Sequence, residues 1–390
     1  MLTTATHPLP QKEFENLINN RALNCISIYL PMDKKGKEQN KHLAQSLLKQ
    51  CLNQVQNDLS EHQMNEDEIG EYLKPVEELL HRVDLWRNPS EGLAIFLTPE
   101  DGLRFYQLPI PFEVHTYIAS NFYLIPILPL YQNDGEYYIL ELSQDYVKLY
   151  KASRYQFKDV HLENFAPEQL EDAVGFDYTS KMLQVRSGQN MYNTGTFHGY
   201  GEGKDDDKKE LVTFFRAIDK GLKKVINDKN TPLVVASVDY MFDIFKKVST
   251  HRMIINKNIA GDPQFKNKKI LHQESWNVVA TYFKKPQTEK LTQYTELYHT
   301  QKTSYEIEVI IDAAFNGKIE TLFMETNSDI FGIYDPKNGE VLTDKKSEIH
   351  NVSLTNLAAI STFKQGGQVY FLSTDKMPVK ERSMNAIFRY

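Results

Sequence analysis

Apolar residues in this chain keep changing their spacing. Short continuous or alternating runs, which suit strands, give way to stripes at three- and four-residue intervals, which suit helices. Residues 24–29 (NCISIY) read as a strand, and Leu43, Leu47, Leu48, Cys51, Leu52, Val55 and Leu59 then fall on one helical face. A second helix carries Ile69, Leu73, Val76, Leu80 and Val83. Residues 92–97 and 103–108 pair as a hairpin across the turn Pro99-Glu100-Asp101-Gly102. Further on, 136–142 and 146–152 form another hairpin, with a third strand at 157–162. The run 232–238 (PLVVASV) is a buried strand, followed by a helix over 240–248. The last third has helical patterns at 275–283, 289–299 and 304–315, strands at 321–324 and 330–334, a helix over 353–364, and strands at 369–372 and 386–388. Such alternation predicts the α/β class.

A chain of 390 residues exceeds one ordinary core. A polar turn, Gln132-Asn133-Asp134-Gly135, and a basic connection ending at Ile270 divide it. The reading is three α/β domains in tandem, 1–132, 133–270 and 271–390. The longest apolar run, 122–131, is ten residues and contains Pro126 and Pro129. A bilayer needs about twenty apolar residues, so no membrane span is expected. The first residues, MLTTATHPLPQKEF, lack a signal pattern. Cys25 and Cys51 stand far apart without metal-ligand spacing and read as small buried hydrophobes in a reduced compartment. A cytoplasmic protein is the expectation.

Formal net charge is −7, against indiscriminate coating of nucleic acid. The charge is unevenly spread. Residues 58–87 hold nine acidic and three basic side chains, whereas 241–270 hold seven basic (Lys246, Lys247, Arg252, Lys257, Lys266, Lys268, Lys269) and two acidic. Lys34, Lys35, Lys37 and Lys41 form a smaller cluster. Local patches of this kind can meet phosphate in one orientation; they are equally what a solvated helix face looks like.

The most informative segment is Phe197-His198-Gly199-Tyr200-Gly201-Glu202-Gly203-Lys204, followed by three aspartates. Three glycines in five residues permit positive φ and close approach of the backbone to a partner. The segment closes a long polar stretch, 186–207, and precedes a helix whose start is expected at Asp207, with Glu210 completing a capping box. It is not a phosphate-binding Walker loop: His198 stands where that pattern needs Gly, and Asp205 where it needs Ser or Thr. A flexible solvated loop before a capped helix explains the composition equally well. A literal Gly366-Gly367-Gln368 lies between a helix and a strand and reads as a helix C-cap. No His/Asp/Ser grouping suggests a triad. No metal ligands and no cofactor are expected.

The order of hairpin, long loop, His-Gly-x-Gly, amphipathic helix and buried strand ending Ala236-Ser237-Val238-Asp239 resembles the middle domain of archaeo-eukaryotic class-one release factors. HGYGEGKDDDKKELVTFFRAIDKGLKKVI and the ending NAIFRY are similar to bacterial relatives of that family, a sister group of Pelota. The resemblance implies a ribosomal A-site binder whose partners are rRNA and peptidyl-tRNA. Its first domain would face the decoding centre and its middle domain the peptidyl-transferase centre, with the last docking a translational GTPase. In release factors the tip reads Gly-Gly-Gln; here Gly201-Glu202-Gly203 occupies it. An ionised Glu cannot donate a hydrogen bond to orient water. One like-charge contact at about 5 Å and an effective dielectric of about 20 costs roughly 3 kcal/mol. The expectation is therefore a non-hydrolytic factor with no catalytic residue, acting in rescue or dormancy. The functional loop is His198, Gly199, Tyr200, Gly201, Glu202 and Gly203, and RNA contacts are expected from Lys34, Lys35, Lys37, Lys246, Lys247, Arg252, Lys266, Lys268 and Lys269. A peptidyl-tRNA hydrolase using Glu202 and a scaffold that has left the ribosome are the alternatives.

Overall fold

The structure, a computed structural model, describes residues 3–6, 9–32, 40–87, 90–132, 135–174, 202–344 and 351–390. In chain order the principal elements are β1 Thr3–Thr6, α1 Gln11–Asn19, β2 Cys25–Pro31, α2 Gln45–Glu61, α3 Glu66–Leu79, α4 Val83–Arg87, β3 Gly92–Thr98, β4 Gly102–Leu108 and β5 His115–Ala119. They continue with β6 Tyr137–Leu142, β7 Val147–Ala152, β8 Phe157–Val160, α5 Leu170–Val174, α6 Glu202–Val225, β9 Leu233–Ala236, α7 Asp239–Val248 and α8 Lys268–Leu297. The remainder is β10 Thr303–Ser304, α9 Ile307–Phe315, β11 Ile319–Glu325, β12 Phe331–Asp335, β13 Glu340–Asp344, β14 Val352–Ser353, α10 Leu354–Lys364, β15 Gln368–Leu372 and β16 Met384–Phe388. The α/β class expected from the spacing is the class found.

Contacts divide the chain into two units. One combines 1–133 with 286–390, and the other is 134–285. In the first, strands order β1-β4-β3-β2-β5 in one sheet, β10-β16-β11-β15 in a second and β13-β12-β14 in a third. Helices α2 and α3 bury Leu48, Cys51, Val55, Leu59, Ile69, Leu73 and Val76 with Ile26, Ile28, Leu93 and Ile95 of the first sheet. An Asn65 cap paired reciprocally with Glu68 starts α3. Trp86 is core, its Nε1–H donating to the Leu79 carbonyl at 2.9 Å. Burial pushes the Cys25 and Cys51 thiols up to about 11, which keeps both unreactive at neutral pH.

Within this unit a buried polar seam ties residues 117–124 to the start of α10. Ser353 caps α10, its Oγ accepting from the Asn356 N–H at 2.9 Å and donating to Asp329. The Ser353 N–H donates to the Tyr117 hydroxyl at 3.1 Å. The Asn356 carboxamide then serves two backbone groups. Its Oδ1 accepts from the Leu124 N–H at 2.8 Å, and its Nδ2 donates to the Phe122 carbonyl at 2.9 Å. At the far end of α10, Gln365 is the C-cap, Gly366 follows it with φ +75°, and Gln368 opens β15, so this Gly-Gly-Gln is a glycine-terminated helix end followed by a strand.

Two expectations are corrected. The separate helical patterns at 275–283 and 289–299 belong to one helix, α8, which begins at Lys268 and runs through Pro286. The segment before it, read as a connection, lies along the sheet of the second unit. Ile254 and Ile259 bridge Leu233 and Ala236 in parallel. No described helix is long and apolar enough to cross a membrane.

Replacing Asn356 by Ala leaves the Leu124 N–H and Phe122 C=O without their partner inside the protein. The expected loss of unfolding free energy is about 2–4 kcal/mol, read from urea denaturation. An unchanged midpoint would refute the role given to this carboxamide.

Candidate nucleic-acid interface

The second unit is a four-stranded sheet, β8-β7-β6-β9, with β6 and β9 parallel. Strand alternation gives it two apolar faces. Leu140, Leu142, Leu149, Leu233 and Val235 meet α6 and α7, while Tyr137, Ile139, Tyr150, Val234 and Ala236 meet the first part of α8. Helix α6 supplies Leu211, Phe214, Phe215, Ile218 and Leu222, and α7 supplies Met241, Phe242 and Phe245. Those positions recur at three and four, so the opposite side of α6 faces solvent. Thr213, Arg216, Lys220, Lys223 and Lys224 occupy it, all exposed.

Asp219 is the polar pin of this layer and is 4 % exposed. Its Oδ1 accepts from Ser249 Oγ at 2.6 Å and from the Thr250 N–H at 2.9 Å, and its Oδ2 from Thr250 Oγ1 at 2.8 Å. Lys223 Nζ stands 3.2 Å away. Burial alone would raise this carboxyl. The hydrogen bonds from Ser249, Thr250 and Lys223 outweigh it and hold the pKa below the usual carboxylate value. The clamp ends α7 and launches the segment that runs beside β9. There His251 Nε2 donates to the Thr231 carbonyl at 2.9 Å, and Asn258 Nδ2 donates to Ser237 O and Asp239 Oδ1, each at 3.0 Å.

Glu141 is the other buried acid of this unit. It accepts from the Tyr150 hydroxyl at 3.0 Å, and burial raises its pKa despite that bond. The bond joins the paired strands β6 and β7 and has the geometry of a structural contact. Among the described residues no group of three His, Cys, Asp or Glu could hold a metal.

The residues expected to contact RNA fall on separate pieces. Lys246 and Lys247 are exposed in the last turn of α7, where cations suit the helix C-terminus. Arg252 and Lys269 are exposed as well. Lys266 pairs with Glu274 at 2.5 Å, and Lys268 pairs with Asp159 at 2.7 Å. Both are thus partly neutralised at home. Lys34, Lys35 and Lys37 lie outside the described residues, as do His198, Gly199, Tyr200 and Gly201. Helix α6 begins at Glu202 rather than at Asp207, so the backbone of Glu202 and Gly203 is helical. Polar residues after a glycine motif conceal a helix start, because nothing apolar marks the first turn. The exposed row on α6 was not among the expected contacts.

Residues 137–281, the stretch that builds this sheet and its helices, match the model of bacterial archaeo-eukaryotic release factor family 7. The resemblance read from the sequence holds. The match spans less than half of the chain, and no curated protein sequence matches it. Among solved structures, an archaeal translation termination factor, aRF1, aligns over 99% of both chains at 11% identity with a TM-score of 0.24. Archaeoglobus fulgidus Pelota aligns over 77% of this chain and 79% of its own at 12% identity and TM-score 0.28. Dom34 of S. cerevisiae, described as a translation termination-like factor, aligns over 77% and 74% at 12% identity and TM-score 0.33. Likenesses this weak carry no argument.

Asp219 has a lower pKa folded than unfolded, so its stabilisation is present above the ordinary carboxylate range. It is lost as pH falls through the depressed folded value. Asp219→Asn should therefore destabilise the protein at neutral pH and weaken the acid dependence of its melting temperature. An identical acid limb in wild type and variant would rule out the clamp.

Proposed function

We propose that this chain is a ribosome-associated factor of the release-factor and Pelota type that occupies the A site without cleaving peptidyl-tRNA, in rescue or dormancy. The observation that carries the reading is the family match over 137–281 joined to the residues at the tip, where Gly201-Glu202-Gly203 replaces Gly-Gly-Gln. Hydrolysis of an ester needs a positioned water and hydrogen-bond donors for the developing oxyanion. An ionised Glu202 supplies no donor and repels the phosphate-rich surroundings of an aminoacyl end. In this reading the three segments 1–132, 133–270 and 271–390 act as successive domains. The basic segment around Lys246, Lys247, Arg252 and Lys269 contributes phosphate contacts, and a translational GTPase docks the last segment. The working place is the cytoplasm.

The test is sedimentation of the full-length protein with ribosomes from growing and starved cells, together with a release assay on stalled complexes carrying labelled peptide. Co-sedimentation should be strong at low salt and fall about tenfold or more as salt rises several-fold, as phosphate contacts require. No peptide should be released. Absence of co-sedimentation from both kinds of cell would defeat the proposal. Peptide release that disappears in Glu202→Ala would instead favour the hydrolase.

A further inference from the structure

We propose that the outer face of α6 and the neighbouring Phe165 form a binding surface for single-stranded RNA. The proposal rests on the ribosome-binding reading for its setting, and on the surface itself for its chemistry. Arg216, Lys220 and Lys224 stand at successive four-residue intervals, hence one above another along about 12 Å of helix. All three are exposed, and none makes an ion pair among the described residues. Lys223 joins the row, its charge shared with the buried Asp219. Like charges at this spacing repel and weaken a helix, whereas Glu or Asp between them would strengthen it. Here the carboxylate within the row, Asp219, is turned inward to hold Ser249 and Thr250. Among the described residues of α6, the outward face from Thr213 to Lys224 therefore carries positive charge and no negative one, in a protein whose net charge is −7.

The second observation is an aromatic ring mounted at one end of this row. Phe165 is 45 % exposed, and Lys224 Nζ lies 5.7 Å from its ring centroid. Its turn is fixed: the Phe165 and Ala166 N–H groups both donate to the Leu162 carbonyl, at 2.9 and 3.0 Å. Gly221 lets that turn seat on the helix. A Cβ on Gly221 would come within 2.7 Å of Ala166 Cβ and 2.9 Å of the Phe165 carbonyl oxygen. An exposed ring on a hydrogen-bonded turn beside a row of cations is the arrangement that binds single strands, with phosphates on the cations and a base on the ring. A duplex hides its base faces and has no use for Phe165. The segment after Phe165 carries the exposed acids Glu168, Glu171 and Asp172, which disfavour a polyanion there, so the strand is expected on the cationic row.

The probe is a short fluorescent oligouridylate, its binding to the full-length protein followed by anisotropy over a range of salt. Arg216→Gln with Lys220→Gln should weaken binding about tenfold or more and reduce the salt slope by about 1.4, at about 0.7 for each phosphate left without its cation. Phe165→Ala should weaken binding about tenfold with the salt slope unchanged, and Phe165→Trp should restore it. Circular dichroism and melting temperature serve as controls for folding. Failure of the wild-type protein to bind the oligonucleotide overturns the proposal, as does equal binding by the folded variants or a preference for duplex RNA. The two readings separate cleanly. Ribosome co-sedimentation untouched by these substitutions, with no change in oligonucleotide binding, defeats this surface and leaves the ribosomal role standing. Oligonucleotide binding abolished in the variants, from a wild type that never sediments with ribosomes, does the reverse.

Discussion

The carboxamide of Asn356 joins two stretches that the sequence sets far apart. Its two hydrogen bonds reach residues 232 and 234 positions away, where the backbone has left β5 and has no ladder to serve it. Buried N–H and C=O groups require partners, and a fully buried carboxamide offers one donor side and one acceptor side to fill that need. Ser353 and Tyr117 extend the same seam, so capping α10 and closing the irregular passage at 122–124 are one event. The first and last stretches of the chain share a unit because of contacts like these. A polar residue on a helix rarely declares such a task in advance.

Where local rules suffice, the fold was readable from the residues. The hairpins β3–β4 and β6–β7 follow alternating runs around polar turns, and α2, α3 and α7 follow apolar stripes ending near His or Ser. Other elements gave no such sign. Strands β1 (TTAT) and β13 (EVLTD) are too polar to stand out. Helix α8 was read in pieces because its apolar residues do not form one stripe. Leu271 and Val279 belong to one core, Tyr294 and Leu297 to another, and Pro286 lies between them. A helix whose apolar residues serve two separate cores, with the polar stretch around Pro286 between them, gives two short patterns rather than one long one.

The candidate interface shows the same limit in electrostatic form. Counting charges along the sequence picked out 241–270, yet folding ties Lys266 and Lys268 to carboxylates and leaves Arg252 and Lys269 exposed. The row on α6 escaped that count because residues 205–224 hold six basic and five acidic side chains, which nearly cancel. Burial then sorts them. Asp219 turns inward to a clamp while Arg216, Lys220 and Lys224 turn outward. A helical projection of the segment from Leu211 onward, with its Leu, Phe and Ile on one side, was the signal that could have revealed the row.

Gly221 restricts how this neighbourhood can change over evolutionary time. With no side chain, it admits the 162–166 turn against the helix; alanine in its place would meet Ala166 Cβ and main-chain atoms rather than a yielding side-chain tip. Drift at position 221 is thus coupled to the length and shape of a turn more than fifty residues earlier. Homologues that abandon this glycine should also carry a shortened or rebuilt turn, so that the two sites disappear as a pair.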